Sequence, residues 1–404
     1  MNNRSANVAS TIPFDTKKLD DLLEQAGIDV LIATSKHNVG YLLGGYRFFF
    51  FETMDAIGIN RYLPLFIYAK GHADRSVFIG NKLEGFEKQL NRFWTGVAET
   101  SWMTGPEAMH SAVLHVRKMG VASARIGVEM PFLPLDAADV LHSAFPDSRL
   151  VDATMALERL RARKSASELS LLKEASERVV AAMQATFSAC RPGMTKHDVV
   201  AHLRREETNR GLNFEYCLIS TGASLNRAPS DQLLGAGDII SLDSGANYHG
   251  YIGDLCRMGS VGKPDSELED LLSEVEAIQQ AARKPIRAGA RGGDIYAAAE
   301  QAMRGSKQLP HFDFLAHGMG LVSHEAPHLT GKGVVPYPAT DEDLPLESGM
   351  VISIETRSCI RSAGSSNSRT PSRSRRADGK GSAIIAVAGT WPRSDRLRLI
   401  PRGE

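Results

Sequence analysis

Residues 240–256 read ISLDSGANYHGYIGDLC: an apolar strand, a turn and a second apolar strand, with Asp243 and Asp254 each inside a run that should be buried. An ionised carboxylate in an apolar strand is costly unless something compensates it. Two with the same requirement point to a shared partner, most simply a metal ion. A hairpin centred on Tyr248 and His249 would set the two aspartates directly opposite each other on one face, about 5 Å apart at Cβ. That spacing suits oxygen donors around one or two cations.

The surrounding chain has room for such a site. At 404 residues the expectation is two domains, and 43% hydrophobic with 23% charged residues is ordinary for a globular protein. The first residues, MNNRSANVAS, lack a signal-peptide core, and no apolar run reaches the roughly 20 residues of a membrane span. Cys190, Cys217, Cys256 and Cys359 show no paired spacing. The expectations are a cytoplasmic location and no membrane contact. Charge is uneven: from Arg357 onward there are 11 Lys/Arg against 3 Asp/Glu, leaving 36 against 44 before it.

Residues 15–160 read as an α/β domain. The pattern predicts a helix over 19–27, strands over 29–34, 63–68, 76–79 and 125–128, and a helix over 105–119. The aromatic run at 46–51 is expected to be a core or interface strand. A charged stretch, ERLRARKSASEL, marks the boundary and leads into an amphipathic helix over 168–190. A second helix starts at Thr195, where Asp198 completes a capping box, and a strand follows at 214–220. Amphipathic helices are expected at 268–278 and 294–303. The glycines of GARGGD, 289–294, are read as a turn and helix cap rather than a phosphate loop, since no GK[ST] follows.

Residues 316–328, AHGMGLVSHEAPH, carry three histidines with too many glycines and prolines for a helix or an amphipathic strand. Histidine is the commonest metal ligand and suits proton transfer near neutral pH. Residues 349–355 are a buried strand ending in Glu355, with the same desolvation problem as the hairpin.

Asp243, Asp254, His317 and Glu355 thus stand as four donors in order. The motifs D-x-G-x-x-x-x-G-Y-x-x-D at 243–254, H-G-x-G-L-x-x-H-E-x-P at 317–327 and L-x-x-G-M-V-x-x-I-E at 346–355 resemble the pita-bread metallopeptidases: aminopeptidase P, prolidase, methionine aminopeptidase and creatinase. The resemblance implies a creatinase-type α/β N-terminal domain over 15–160 and an α+β pita-bread catalytic domain over 165–358. It implies two divalent ions (Mn, Co, Fe or Zn) with Asp243 chelating one, Asp254 bridging both, and His317 and Glu355 on the first. Glu355 would also handle the proton of the attacking water, His324 would stabilise the tetrahedral intermediate from the substrate side, and His328 would face the substrate. The implied activity is hydrolysis next to proline on a peptide, by a homodimer.

Three departures matter. Proline-specific relatives place a histidine shortly before a P-[ST]-D triplet; here Asn226-Arg227 precede Ala228-Pro-Ser-Asp231. An Asn–Arg pair could hold a substrate carboxylate, so a creatinase-like hydrolase or lyase of a small carboxylated compound stays open. A second histidine usually stands four residues before the metal histidine; here that residue is Asp313, with His311 nearby. Finally, the family ends on a bridging glutamate in a strand like K-L-E-D-T-V, and nothing after Glu355 resembles it. Residues 359–404 form an Arg/Ser-rich tail, expected to be disordered or frameshifted. Shifting permitted codons by one base can yield MHPKRGFVKLEDTVAVTASGWE, which contains the missing glutamate. A nucleic-acid arm is disfavoured, because the Arg/Ser run carries no interleaved aromatics. Without the fifth carboxylate the second metal site should be weak and the sheet should lose a strand, and an inactive binding protein is the third reading.

Overall fold

A computed structural model describes residues 12–49, 61–100, 104–120, 125–222, 224, 226–306, 309, 312–330, 338, 340–361 and 376–386; residues 98–100, 357–361 and 376–386 are described by their backbone alone. The chain divides into two compact units, Met1–Leu160 and Arg161–Glu404.

The first unit is built from α1 (Thr16–Ala26), β1 (Val30–Ala33), α2 (Lys36–Leu42), β2 (Leu65–Ala69), β3 (His72–Asn81), α3 (Gly85–Gln89), β4 (Gly96–Thr100), α4 (Gly105–Lys118), β5 (Arg125–Val128), α5 (Leu135–Ala144), β6 (Arg149–Asp152) and α6 (Thr154–Ala162). Its six-stranded sheet has the order β4-β3-β2-β1-β5-β6, with β1 parallel to β5 and antiparallel to β2. Every residue of β1 is buried, so its alternation feeds two cores. Leu31 and Ala33 join the core containing α1 leucines and Leu157, while Val30 and Ile32 join the one containing Met109, Val113 and Leu141.

The aromatic run is not a strand where it is described. Residues 46–48 are irregular, and residues 50 and 51 lie outside the described residues. Tyr46 instead packs edge-on against Phe93 and Phe48 lies tilted against Tyr62, with ring centroids 4.7 Å and 6.0 Å apart. Packing of Tyr46 and Phe48 on the core, not strand pairing, places that part of the run, while Phe49 is 61% exposed.

The second unit holds α7 (Ala166–Ala189), α8 (Lys196–Asn209), β7 (Asn213–Thr221), β8 (Ile239–Tyr248), β9 (Tyr251–Ser260), α9 (Ser266–Arg283), α10 (Gly292–Arg304), β10 (Phe312–Gly318), β11 (Val351–Arg361) and β12 (Arg376–Ala386). Ser165 and Glu168 form a capping box at the start of α7, and Thr195 and Asp198 form another at α8. Asp294 closes the same device at α10, so GARGGD is a turn and cap. The inward stripe of α7 includes Leu172, Ala175, Val179, Ala182 and Met183, a helical spacing that packs on Leu242, Ile252 and Leu255 of the hairpin.

Two antiparallel sheets carry Asp243, Asp254, His317 and Glu355, the candidate site residues: β7-β8-β9 and β10-β11-β12. The β8–β9 turn is His249-Gly250, both with positive φ (50° and 99°), the geometry of a two-residue hairpin turn that glycine favours. Tyr248 therefore pairs with Tyr251, Asp243 with Cys256 and Asp254 with Gly245. The aspartates are diagonal neighbours, not directly opposite as the sequence suggested. A turn one residue later moves every partner by two, which keeps both carboxylates on one face.

Two other expectations need correction. The histidine-rich segment begins inside a strand, because 312–318 pairs along β11 from Phe312↔Ser358 to Gly318↔Ile352. The tail is also not wholly irregular: Arg376–Ala386 pairs along β11 from Val351↔Ala386 to Arg361↔Arg376, so β11 is a central strand and not an edge. The β-branched, apolar run ending β12 suits such a position. Among the described residues, no helix is long and apolar enough to cross a membrane.

Candidate metal centre

The hairpin delivers Asp254, and the β10–β11 pair delivers His317 and Glu355. His317 lies opposite Ser353, and Glu355 is two residues further along β11, so imidazole and carboxylate share a face as diagonal neighbours. His317 Nε2 is 3.4 Å from Glu355 Oε1. His324, on the loop after β10, stacks on His317 with ring centroids 3.8 Å apart and planes 10° apart. Its Nε2 is 3.9 Å from Asp254 Oδ2. One ligand atom from each of Asp254, His317 and His324 can be chosen so that all lie within 4.8 Å of one another.

Asp254, His317 and Glu355 are almost fully buried, while the His324 side chain is 34% exposed. Burial, reinforced by Glu355 and Asp243, pushes the Asp254 carboxyl up to about 7. Burial alone would lower His317, but its contact with Glu355 and the nearby Asp254 outweigh it and raise the imidazole. The centre is an excess of negative charge held out of water. A cation at these donors would relieve that cost, and two imidazoles with carboxylates suit a first-row divalent metal. The residues fit one such ion.

Asp243 is differently engaged. Arg227 donates from its Nη2 to Asp243 Oδ2, in a contact where the arginine side chain is 33% exposed and the aspartate 6%. Asn226 accepts the Ala228 N–H on its side-chain oxygen at 3.0 Å. The pair proposed for a substrate carboxylate is therefore already occupied in part, Asn226 by its own turn and Arg227 by Asp243. His328 lines a small pocket with His317, His324, Glu325, Pro327 and Leu329. Asp313 stands opposite Arg357 on β11, and His311 lies outside the described residues.

Two groups of residues had no role in the sequence reading. Tyr216 on β7 faces Gly245, and a Cβ at that glycine would collide with the phenol ring. The room left by Gly245 lets Tyr216 hydrogen-bond to Asp254, and burial with the nearby carboxylate holds its phenol strongly protonated. The second group is Glu325, the residue after His324. Its carboxylate accepts from Lys164 Nζ at 2.9 Å and from Arg161 Nη2 at 2.9 Å, with all three side chains 0–1% exposed. Burial alone would raise Glu325, but the two cations hold it down to about 2. The charged stretch read as the domain boundary thus also supplies an internal clamp. The glycine in D-x-G and the glutamate in H-E-x-P were the signals available for both.

A buried carboxylate-and-imidazole centre on two antiparallel sheets, in a chain that also carries an α/β unit, is the arrangement of a metal-dependent hydrolase of the pita-bread type. The comparisons agree: residues 170–383 match the model of metallopeptidase family M24, and residues 16–163 match the creatinase/prolidase N-terminal domain. The chain belongs to metallopeptidase family M24. It is similar to a probable dipeptidase, PepE, of Mycobacterium bovis, at 29% identity over 82% of this chain and 83% of that one. It is also similar to an Xaa-Pro dipeptidase of Lactobacillus delbrueckii subsp. lactis, at 24% identity over 84% and 88%. Among solved structures, an Xaa-Pro dipeptidase from Bacillus anthracis shares the fold with a TM-score of 0.73 at 22% identity, over 92% of this chain and 94% of that one.

Proposed function

We propose that this chain is a metal-dependent peptidase that removes an N-terminal residue or splits a dipeptide next to proline. The observation that carries the reading is the convergence of Asp254, His317 and His324 with Glu355 at 3.4 Å from His317, in a buried hollow of an M24 fold. The names of the relatives support the substrate class. A divalent cation bound there lowers the pKa of water and polarises a scissile carbonyl. Glu355 takes the proton from the attacking water. His324, at the exposed edge of the cluster, faces the side open to substrate. His328 lines the same pocket on the substrate side. Mn, Co, Fe or Zn would suit these donors. A cytoplasmic homodimer is part of the same reading.

A second reading has its own support. The Asn226-Arg227 pair stands where proline-specific relatives carry a histidine, and Arg227 brings a cation to the mouth of the site. That favours a small carboxylated substrate, as for a creatinase-like hydrolase or lyase, if Arg227 can leave Asp243. We also read the segment after Thr356 as the product of a one-base shift of frame; the nucleotide sequence near codon 356 tests this, and an uninterrupted frame in close relatives refutes it.

The experiment is a screen of Gly-Pro, Xaa-Pro-Xaa peptides and small amides with added Mn²⁺, on the chain as it stands and with the alternative frame restored. Turnover of proline peptides supports the first reading, and turnover of small amides alone supports the second. No turnover by either form removes both.

A further inference from the structure

We infer that the centre of this chain is built for a single divalent cation on Asp254, His317 and His324 beside Glu355, with the Arg227 guanidinium standing on Asp243 in place of a second metal. The inference rests on the metal-hydrolase reading above and departs from the two ions that the family resemblance implied.

Three independent observations carry it. The first is the grouping of donors. Asp254, His317 and His324 converge within 4.8 Å, and Asp243 is not in that group although it shares a face of the hairpin with Asp254. The second is that Arg227 stands on a loop whose backbone is pinned. The Arg227 carbonyl accepts from the Ile219 N–H on β7 at 2.8 Å. The neighbouring Asn226 carbonyl accepts from Lys196 Nζ at 2.5 Å, and Lys196 is itself buried on α8. The backbone on both sides of the guanidinium is therefore tied to the same sheet and helix that hold Asp243.

The third observation concerns β12. Ser382 stands opposite Glu355 and Ile384 opposite Ser353, so no acidic residue occupies the register positions facing those two. Asp378, the one acidic residue of β12, is opposite Cys359, four positions along β11. A second dication would have to share Asp243 with a guanidinium and find no further anion on this strand. At such short range, like charges in a poorly solvated site repel strongly.

The charges close under this assignment. Arg227 neutralises Asp243. One dication neutralises Asp254 and Glu355, and the two imidazoles bind as neutral donors. The Arg227 contact then has a purpose: it compensates a buried aspartate without a metal. Arg227 acts here on Asp243, so it is a positioning and charge-balancing residue and not a catalytic one.

The test is Mn²⁺ binding to the full chain, followed by calorimetric titration and by electron paramagnetic resonance. The expected result is one Mn²⁺ per chain, with the six-line signal of an isolated ion. Asp243→Asn should keep one ion with affinity within about threefold of the parent, whereas Asp254→Asn should weaken binding by 100-fold or more. Two ions in the unaltered chain, or an exchange-coupled pair, overturns the inference and leaves the hydrolase reading standing. Loss of the ion in a folded Asp243→Asn variant overturns it as well. No Mn²⁺ binding at all overturns the metal reading and the inference together. The stoichiometry and spectrum of the unaltered chain decide the matter even if a variant fails to fold.

Discussion

Two buried clusters of charged groups lie on either side of the His324–Glu325 peptide bond. Glu325 carries its counter-charges within the chain: Arg161 and Lys164 hold it ionised in the absence of anything else. Around His324, one residue earlier, Asp254 and Glu355 lie against imidazoles and close to each other, and burial with mutual repulsion drives the Asp254 carboxyl up to about 7. Equal burial produces opposite charge behaviour, so the partner and not the depth decides. One cluster is a finished structural clamp that pins the loop carrying His324. The other is an anionic hollow that gains stability only when a cation arrives.

The sharpest way to break this comparison is to remove the clamp's anion. Glu325→Gln leaves two buried cations without their carboxylate and should destabilise the second unit by roughly 3–5 kcal/mol in urea unfolding. Replacing Glu325, Arg161 and Lys164 together with apolar residues of similar size should cost less than that single change. If the triple replacement costs more, the clamp contributes net stability rather than merely avoiding unpaired charge.

The same change on the other side should have the opposite sign. Asp254→Asn, measured with chelator at pH 8, removes a charge from a crowded hollow and should stabilise the metal-free protein. A tenfold change in proton affinity corresponds to about 1.4 kcal/mol, so a gain on the order of 1–3 kcal/mol is expected. A loss of stability in that variant would mean that Asp254 is held by unrecognised positive charge.

Glu207, on α8 beneath the hairpin, tests the comparison without a metal ligand. Its Oε1 accepts from Ser244 Oγ at 2.9 Å, its Oε2 is buried without a partner, and burial pushes its carboxyl up to about 8. The folded chain therefore holds a proton there that the unfolded chain, titrating near 4.5, has released. Stability from this group is present below about 4.5 and declines as pH rises to about 8. Glu207→Gln should flatten that decline by on the order of 2 kcal/mol, seen as unfolding midpoints at about pH 5 and pH 8.5; equal slopes in both proteins would contradict it. At the small end, the exposed Lys173–Glu177 pair at 3.7 Å should contribute below about 0.5 kcal/mol, so Lys173→Ala should move the midpoint hardly at all.

The legibility of the sequence follows the same division. The strands bearing Asp243, Asp254 and Glu355 were readable because a carboxylate in an apolar run breaks a pattern that burial otherwise enforces. Helix starts at Ser165 and Thr195 have local capping chemistry. The hairpin register was missed by one residue of turn, because Tyr248, His249 and Gly250 offer competing centres and only the left-handed backbone of His249 and Gly250 chooses between them. The strand ending at His317 was hidden by the glycines that follow it. Arg161 and Lys164 read only as charge at the domain boundary, since their partner is more than 160 residues away in the chain. Tyr216 and Gly245 are related only through strand pairing, which no local pattern reveals.

Thermal or urea unfolding of the parent chain and of His317→Ala, each with chelator and with Mn²⁺ in excess, tests the central claim most directly. A bound ligand stabilises by RT ln(1 + [L]/Kd), about 2.7 kcal/mol at a hundredfold excess over Kd. The account predicts a stabilisation of that order in the parent and none in His317→Ala. An equal Mn²⁺ effect in both proteins, or no effect in the parent, would contradict it.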